Sequence, residues 1–100
     1  MPKVYEYLGL IFFFYSNDHE PVHLHARYQD TESKFEIIEA YGTISVYGKE
    51  VKGKKPLSRK HMQMASALVQ LKRTEIIKIW EDFFVHGRKI KCEKITEKII

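Results

Sequence analysis

The stretch Val22-His23-Leu24-His25-Ala26-Arg27-Tyr28 decides the fold. Val22, Leu24, Ala26 and Tyr28 alternate with His23, His25 and Arg27, and a period of two puts the two sets on opposite faces of a β-strand. One face is therefore core, and the other carries two imidazoles and a guanidinium. Toward the N-terminus, Ser16-Asn17-Asp18-His19-Glu20-Pro21 is turn chemistry, because Asn and Asp favour turns and Pro21 has no backbone donor. The segments Val4 to Tyr7 and Leu10 to Tyr15 are rich in β-branched and aromatic residues, so they read as strands bent at Gly9. Toward the C-terminus, a polar turn at Gln29 to Ser33 precedes a strand from Lys34 to Glu39. Gly42, Gly48 and Gly53 then punctuate short β-prone pieces, Thr43 to Tyr47 and Lys49 to Val51.

Beyond Pro56 the period changes. Ser58 can cap a helix whose stripe is His61, Met64, Ala65, Leu68 and Leu71, and after Lys72-Arg73-Thr74-Glu75 the stripe resumes with Ile76, Ile79, Trp80, Phe83 and Phe84 up to Gly87. Either two helices meet at Thr74 or one helix bends there. The expected fold is α+β, with an antiparallel sheet from the N-terminal half packed against a C-terminal helical hairpin or bent helix. Residues 1–86 form one domain, and residues 87–100 form a basic tail that is either a frayed helix or a partner-binding arm. An unprotected sheet edge is expected around Phe12-Phe13-Phe14, which points to a homo-oligomer.

One hundred residues suit a single core, and a chain 44% hydrophobic and 30% charged is ordinary for a globular protein. The lone Cys92 excludes an intramolecular disulfide and leaves a cysteine-based zinc site without partners. The apolar run Tyr7 to Tyr15 is too short to span a bilayer and lacks the features of a signal peptide, so the expected setting is cytoplasmic. The net charge of +4 hides an asymmetry. Residues 1–48 hold seven Asp/Glu against three Lys/Arg, whereas residues 49–100 hold fourteen Lys/Arg against six Asp/Glu. Such a dipole can attract phosphates or an acidic partner, or can merely solvate helix faces.

The residues with most chemistry are Asp18-His19-Glu20-Pro21-Val22-His23-Leu24-His25, with three histidines and two carboxylates. His23 and His25 share a strand face, and His19 on the preceding turn can fold over them. Neutral imidazoles at His19, His23 and His25 suit a divalent metal such as zinc, nickel or iron, with a carboxylate completing the shell. The same three histidines can serve as catalytic base and acid near neutral pH, or join Arg27 in holding a phosphate. Equally, His19 can fix the turn while the other two cover a solvated face. The densest basic segment supplies Lys52, Lys54 and Lys55 as candidate contacts to a nucleic-acid backbone, with Tyr41 and Tyr47 as stacking surfaces; the alternative is a soluble loop. No glycine-rich phosphate loop or serine nucleophile motif is present. Trp80 is assigned to the core, where it packs the helix on the sheet.

The opening Met-Pro, the strand after Gly9, the Asp18-to-His25 string and the late Trp80-Glu81 pair resemble the bacterial domain of unknown function 4160 family over roughly residues 1–85. Val22 stands where that family usually has a second Pro, and Leu24 replaces a usual Phe. The resemblance implies a small cytoplasmic protein encoded beside another small protein, similar to a toxin–antitoxin module. The expected function is a component of such a module that pairs with a small partner protein and binds RNA through His19, His23, His25 and Arg27, aided by Lys52, Lys54 and Lys55, with imidazoles able to act as base and acid in cleavage. The alternative is a non-enzymatic protein-interaction or metal-binding module.

Overall fold

A computed structural model describes residues 2–99. Met1 and Ile100, the outer ends of the expected domain and tail, lie outside the described residues. Six strands, β1 (Lys3–Tyr7), β2 (Leu10–Phe13), β3 (His23–Tyr28), β4 (Thr31–Ala40), β5 (Thr43–Glu50) and β6 (Glu93–Ile95), surround a single helix in the sequence, α1 (Arg59–Phe84). The strands form one sheet in the order β5-β4-β3-β2-β1-β6, antiparallel except for the β1–β6 pair. The architecture is α+β.

Short turns set the register. Leu8-Gly9 joins β1 to β2, and Tyr41-Gly42 joins β4 to β5, with φ of 47°, 90°, 54° and 77° in turn. Left-handed values at both central residues match the twist of a hairpin, and glycine tolerates them without a Cβ clash. At Gly9 the space is also taken, since a Cβ there would lie 2.8 Å from the Tyr28 ring. Gln29-Asp30 closes the β3–β4 hairpin, so Thr31 to Ser33 belong to β4 and the expected five-residue turn shrinks to two residues. Gly48 does not break β5. Its missing Cβ lets Met62 of α1 approach, because a Cβ there would lie 2.5 Å from Met62 Cε.

Helix α1 begins at Ser58, whose Oγ accepts the His61 N–H, and runs without interruption to Phe84. It covers one sheet face, where Tyr5, Phe12, Leu24, Ala26 and Phe35 meet Met64, Ala65, Leu68, Val69, Ile76 and Trp80. Full burial of a side chain such as Leu24 or Leu68 contributes roughly 1.5–3 kcal/mol, so this interface dominates the stability. Of the expected hairpin or bent helix, the hairpin gives way to one continuous helix, since Lys72 to Glu75 contain no helix breaker. Lys72, four residues after Leu68 and four before Ile76, lies on the inward stripe. Its ammonium lies over the Tyr5 ring, 5.9 Å from the centroid, and reaches Glu75 and Glu93. Leu71, assigned to the stripe, is 62% exposed instead.

Two further expectations are corrected. The Phe12–Phe14 region is no edge, because β2 lies between β1 and β3 and Phe12, Phe13 and Phe14 are fully buried. The edges are β5 and the short β6, so the argument for a homo-oligomer from an apolar edge falls away. Residues 87–99 are not a detached tail either. They return to β1, where β6 pairs in parallel, Ile90, Ile95 and Ile99 pack on the core, and the Ile99 N–H donates to Tyr7 Oη at 2.9 Å.

Candidate metal centre

His25 projects from the sheet face turned away from α1, and His23, at the start of β3 where Trp80 of α1 reaches its ring, lies beside it next to the loop that joins β2 to β3. That loop is locked by a reciprocal pair of bonds. The Tyr15 N–H donates to Asp18 Oδ2 at 2.8 Å, and the Asp18 N–H donates to the Tyr15 carbonyl at 3.0 Å. The turn aims the Asp18 carboxylate back at the strand. Its Oδ1 lies 3.3 Å from His23 Nε2, and its Oδ2 lies 3.7 Å from His25 Nε2.

The far side of each ring is occupied as well. His23 Nδ1 lies 2.8 Å from the Pro21 carbonyl, which can only accept, so this nitrogen carries the hydrogen. His25 Nδ1 lies 3.2 Å from Glu32 Oε2, a carboxylate that also accepts the Tyr15 hydroxyl at 2.9 Å. The anion favours the hydrogen on that nitrogen too, although the alignment falls short of a hydrogen bond. With both hydrogens on Nδ1, the two Nε2 lone pairs point at a carboxylate. Lone pairs facing an anion repel, unless a cation or a proton lies between them.

His25 sharpens this requirement. It is 5% exposed, enclosed by a stack on Phe13 at 5.4 Å and edge contacts to Tyr15 at 4.5 Å and His23 at 5.1 Å. Neither of its buried ring nitrogens makes a hydrogen bond, and such orphaned polar atoms are rare in folded proteins. Burial holds the imidazole below the usual histidine range, against the opposing pull of Asp18. Protonation is thus the costly way to relieve the repulsion. One ligand atom from each of Asp18, His23 and His25 lies within 4.8 Å of the others, a spacing that suits one metal ion. Trp80, which packs in the core, also walls the site from the helix side, 5.3 Å from the His23 ring.

Of the residues singled out in the sequence, His23 and His25 converge and His19 does not. His19 is exposed, with Nδ1 3.2 Å from the Glu20 carbonyl, and Asp18 takes the place it was given. Arg27 shares the strand face of the two histidines, its guanidinium 5.4 Å from the Phe13 ring. Lys52, Lys54 and Lys55 are exposed in the link from β5 to α1. Lys55 bridges to Thr31, at the end of the β3–β4 hairpin away from His23. The Lys55 carbonyl accepts the Glu32 N–H at 2.8 Å, so this basic segment meets the histidine cluster on its Glu32 side rather than at His23. Sequence reasoning missed Asp18 and Glu32 as specific members; for Glu32 the signal was the period-two alternation of β4, which puts it on the face of Lys34, directly opposite Arg27 and diagonal to His25.

A family model described as Domain of unknown function (DUF4160) matches residues 9–81. The chain belongs to this family. The matched region contains Asp18, His23, His25, Glu32 and Trp80, and thus the entire cluster of this DUF4160 member. No curated protein and no solved structure matches the chain. None of its helices is long and apolar enough to cross a membrane, among the described residues.

Proposed function

We propose that this DUF4160 chain is a metal-binding module whose centre is Asp18, His23 and His25. The observation that carries the reading is the convergence of two imidazole Nε2 atoms on one carboxylate, with both Nδ1 atoms already facing acceptors. Two imidazoles and a carboxylate suit a divalent first-row ion such as zinc, iron or nickel, and three protein ligands leave coordination positions open. Glu32 and the Pro21 carbonyl supply the outer hydrogen-bonding partners that fix ring tautomers in metal sites. A bound ion would tie the β2–β3 loop to the sheet and supply a Lewis acid at the open positions. Metal analysis and zinc calorimetry on untagged protein test the reading. About one ion per chain supports it, and no binding at neutral pH refutes it.

A second reading keeps the RNA-directed, toxin–antitoxin-like role that the family resemblance implies, with the histidines acting directly on RNA. Arg27 on the same strand face as His23 and His25 favours it, since a guanidinium binds phosphate well. Burial of His25 weighs against direct acid–base work, because a buried ring does not reach a macromolecule. Growth arrest on expression, lost in the His23→Ala, His25→Ala variant that stays folded, would favour this reading; harmless expression would exclude a toxic role. A cytoplasmic setting and a small partner protein belong to the same proposal.

A further inference from the structure

The face that carries the centre continues across the sheet. The register sets Lys34 directly opposite His25, and Lys49 directly opposite Lys34. Like charges in directly opposed positions destabilise a ladder, unless an anion lies near them. Lys49 has Glu36 at 2.8 Å, whereas Lys34 is only half-buried and has no ion-pair partner among the described residues. Around the histidines, Asp18, Glu32 and Glu36 balance Arg27, Lys34 and Lys49, so the unloaded face is close to neutral. A divalent ion on Asp18, His23 and His25 tips that balance to positive.

We infer that the loaded centre takes a phosphate group, with an oxygen at an open coordination position of the metal and the remaining charge facing Lys34. This inference rests on the metal-centre reading. It makes phosphate binding conditional on metal, because without the ion the nearby carboxylates offset the cations and repel the ligand. The phosphate belongs either to a small ester or to a nucleic-acid backbone. Tyr47, on the same face opposite Glu36 and 52% exposed, offers a base a stacking surface in the second case.

Cobalt(II) provides the test, since its visible absorption reports both its own binding and any change in its ligands. The untagged full chain is titrated with cobalt, then with inorganic phosphate, and next with a short single-stranded oligonucleotide. The cobalt band should appear at one ion per chain and shift saturably with phosphate. Lys34→Ala should leave the cobalt band intact and weaken phosphate binding about tenfold, the scale of one lost charge-assisted contact. Metal-free protein should show no saturable phosphate binding. Tighter binding of the oligonucleotide, reduced in Tyr47→Ala, assigns the phosphate to a nucleic-acid backbone; equal affinity assigns it to a small ester, and both support the site. A cobalt band that phosphate does not shift, or unchanged phosphate affinity in folded Lys34→Ala, overturns the inference alone. Absence of any cobalt band overturns the metal-centre reading beneath it.

Discussion

Asp18 Oδ1 lies 3.3 Å from His23 Nε2, on a ring whose other nitrogen donates to the Pro21 carbonyl. The relationship makes the Asp18 charge, rather than its bulk, the decisive property. Asp18→Asn keeps a side-chain oxygen for the Tyr15 N–H but removes the anion. We expect zinc affinity to fall by about 100-fold, while the unfolding free energy changes by less than about 1 kcal/mol. Calorimetry and urea denaturation measure the two quantities, and unchanged zinc affinity would exclude Asp18 as a ligand.

Glu32 acts one step further out, beside His25 Nδ1 and under the Tyr15 hydroxyl. Glu32→Gln retains an acceptor for Tyr15 yet weakens the hold on the ring tautomer, so metal affinity should drop about 10-fold, in the range of outer-partner substitutions. The same titration checks it. A loss as large as that of Asp18→Asn would place Glu32 among the direct ligands instead.

Tyr5 links the sheet to α1 by donating to Glu75 Oε1 at 2.7 Å. Burial, followed by the Glu75 bond, pushes its phenol well above the tyrosine range. A raised pKa means the folded state keeps a proton that the unfolded chain releases. The stabilisation is therefore complete below pH of about 10 and is lost as pH rises above it. Tyr5→Phe should cost about 1 kcal/mol at neutral pH and flatten the decline on the alkaline side. Urea unfolding between neutral and strongly alkaline pH reads this directly; an equally steep decline in the variant would show that Tyr5 is not its source.

Deleting residues 87–100 should cost about 2–4 kcal/mol, because it uncovers the sheet edge along β1 and removes Ile90, Ile95 and Ile99 from the core. Thermal and urea unfolding measure the loss. A truncated chain as stable as the full one would return this segment to the role of a detached arm.

The alternation through Val22 to Tyr28 made β3 legible, because a period of two maps straight onto strand faces. It also put His23 and His25 side by side. The choice between Asp18 and His19 was not legible, since adjacent turn residues point in different directions and only the Tyr15–Asp18 bonds decide which one returns to the strand. Likewise, the polar run Lys72 to Glu75 hid a continuous helix because a lysine can serve as the inward residue, its ammonium held over the Tyr5 ring. The isoleucines of the last fourteen residues were too sparse to give a period, and their place beside β1 is a long-range pairing that local pattern does not encode.

The central claim is that Asp18, His23 and His25 hold one divalent ion, and the zinc affinity of untagged protein as a function of pH tests it most directly. Ligand imidazoles must be neutral, so affinity should be constant above neutrality and fall on the acid side, where protons compete for the rings. Burial of His25 already favours the neutral ring. We predict one zinc per chain at pH of about 7.5, this acid decline, and loss of binding in the folded His23→Ala, His25→Ala variant. Stoichiometry near zero, or zinc that remains bound in that variant with the same pH profile, would contradict the account.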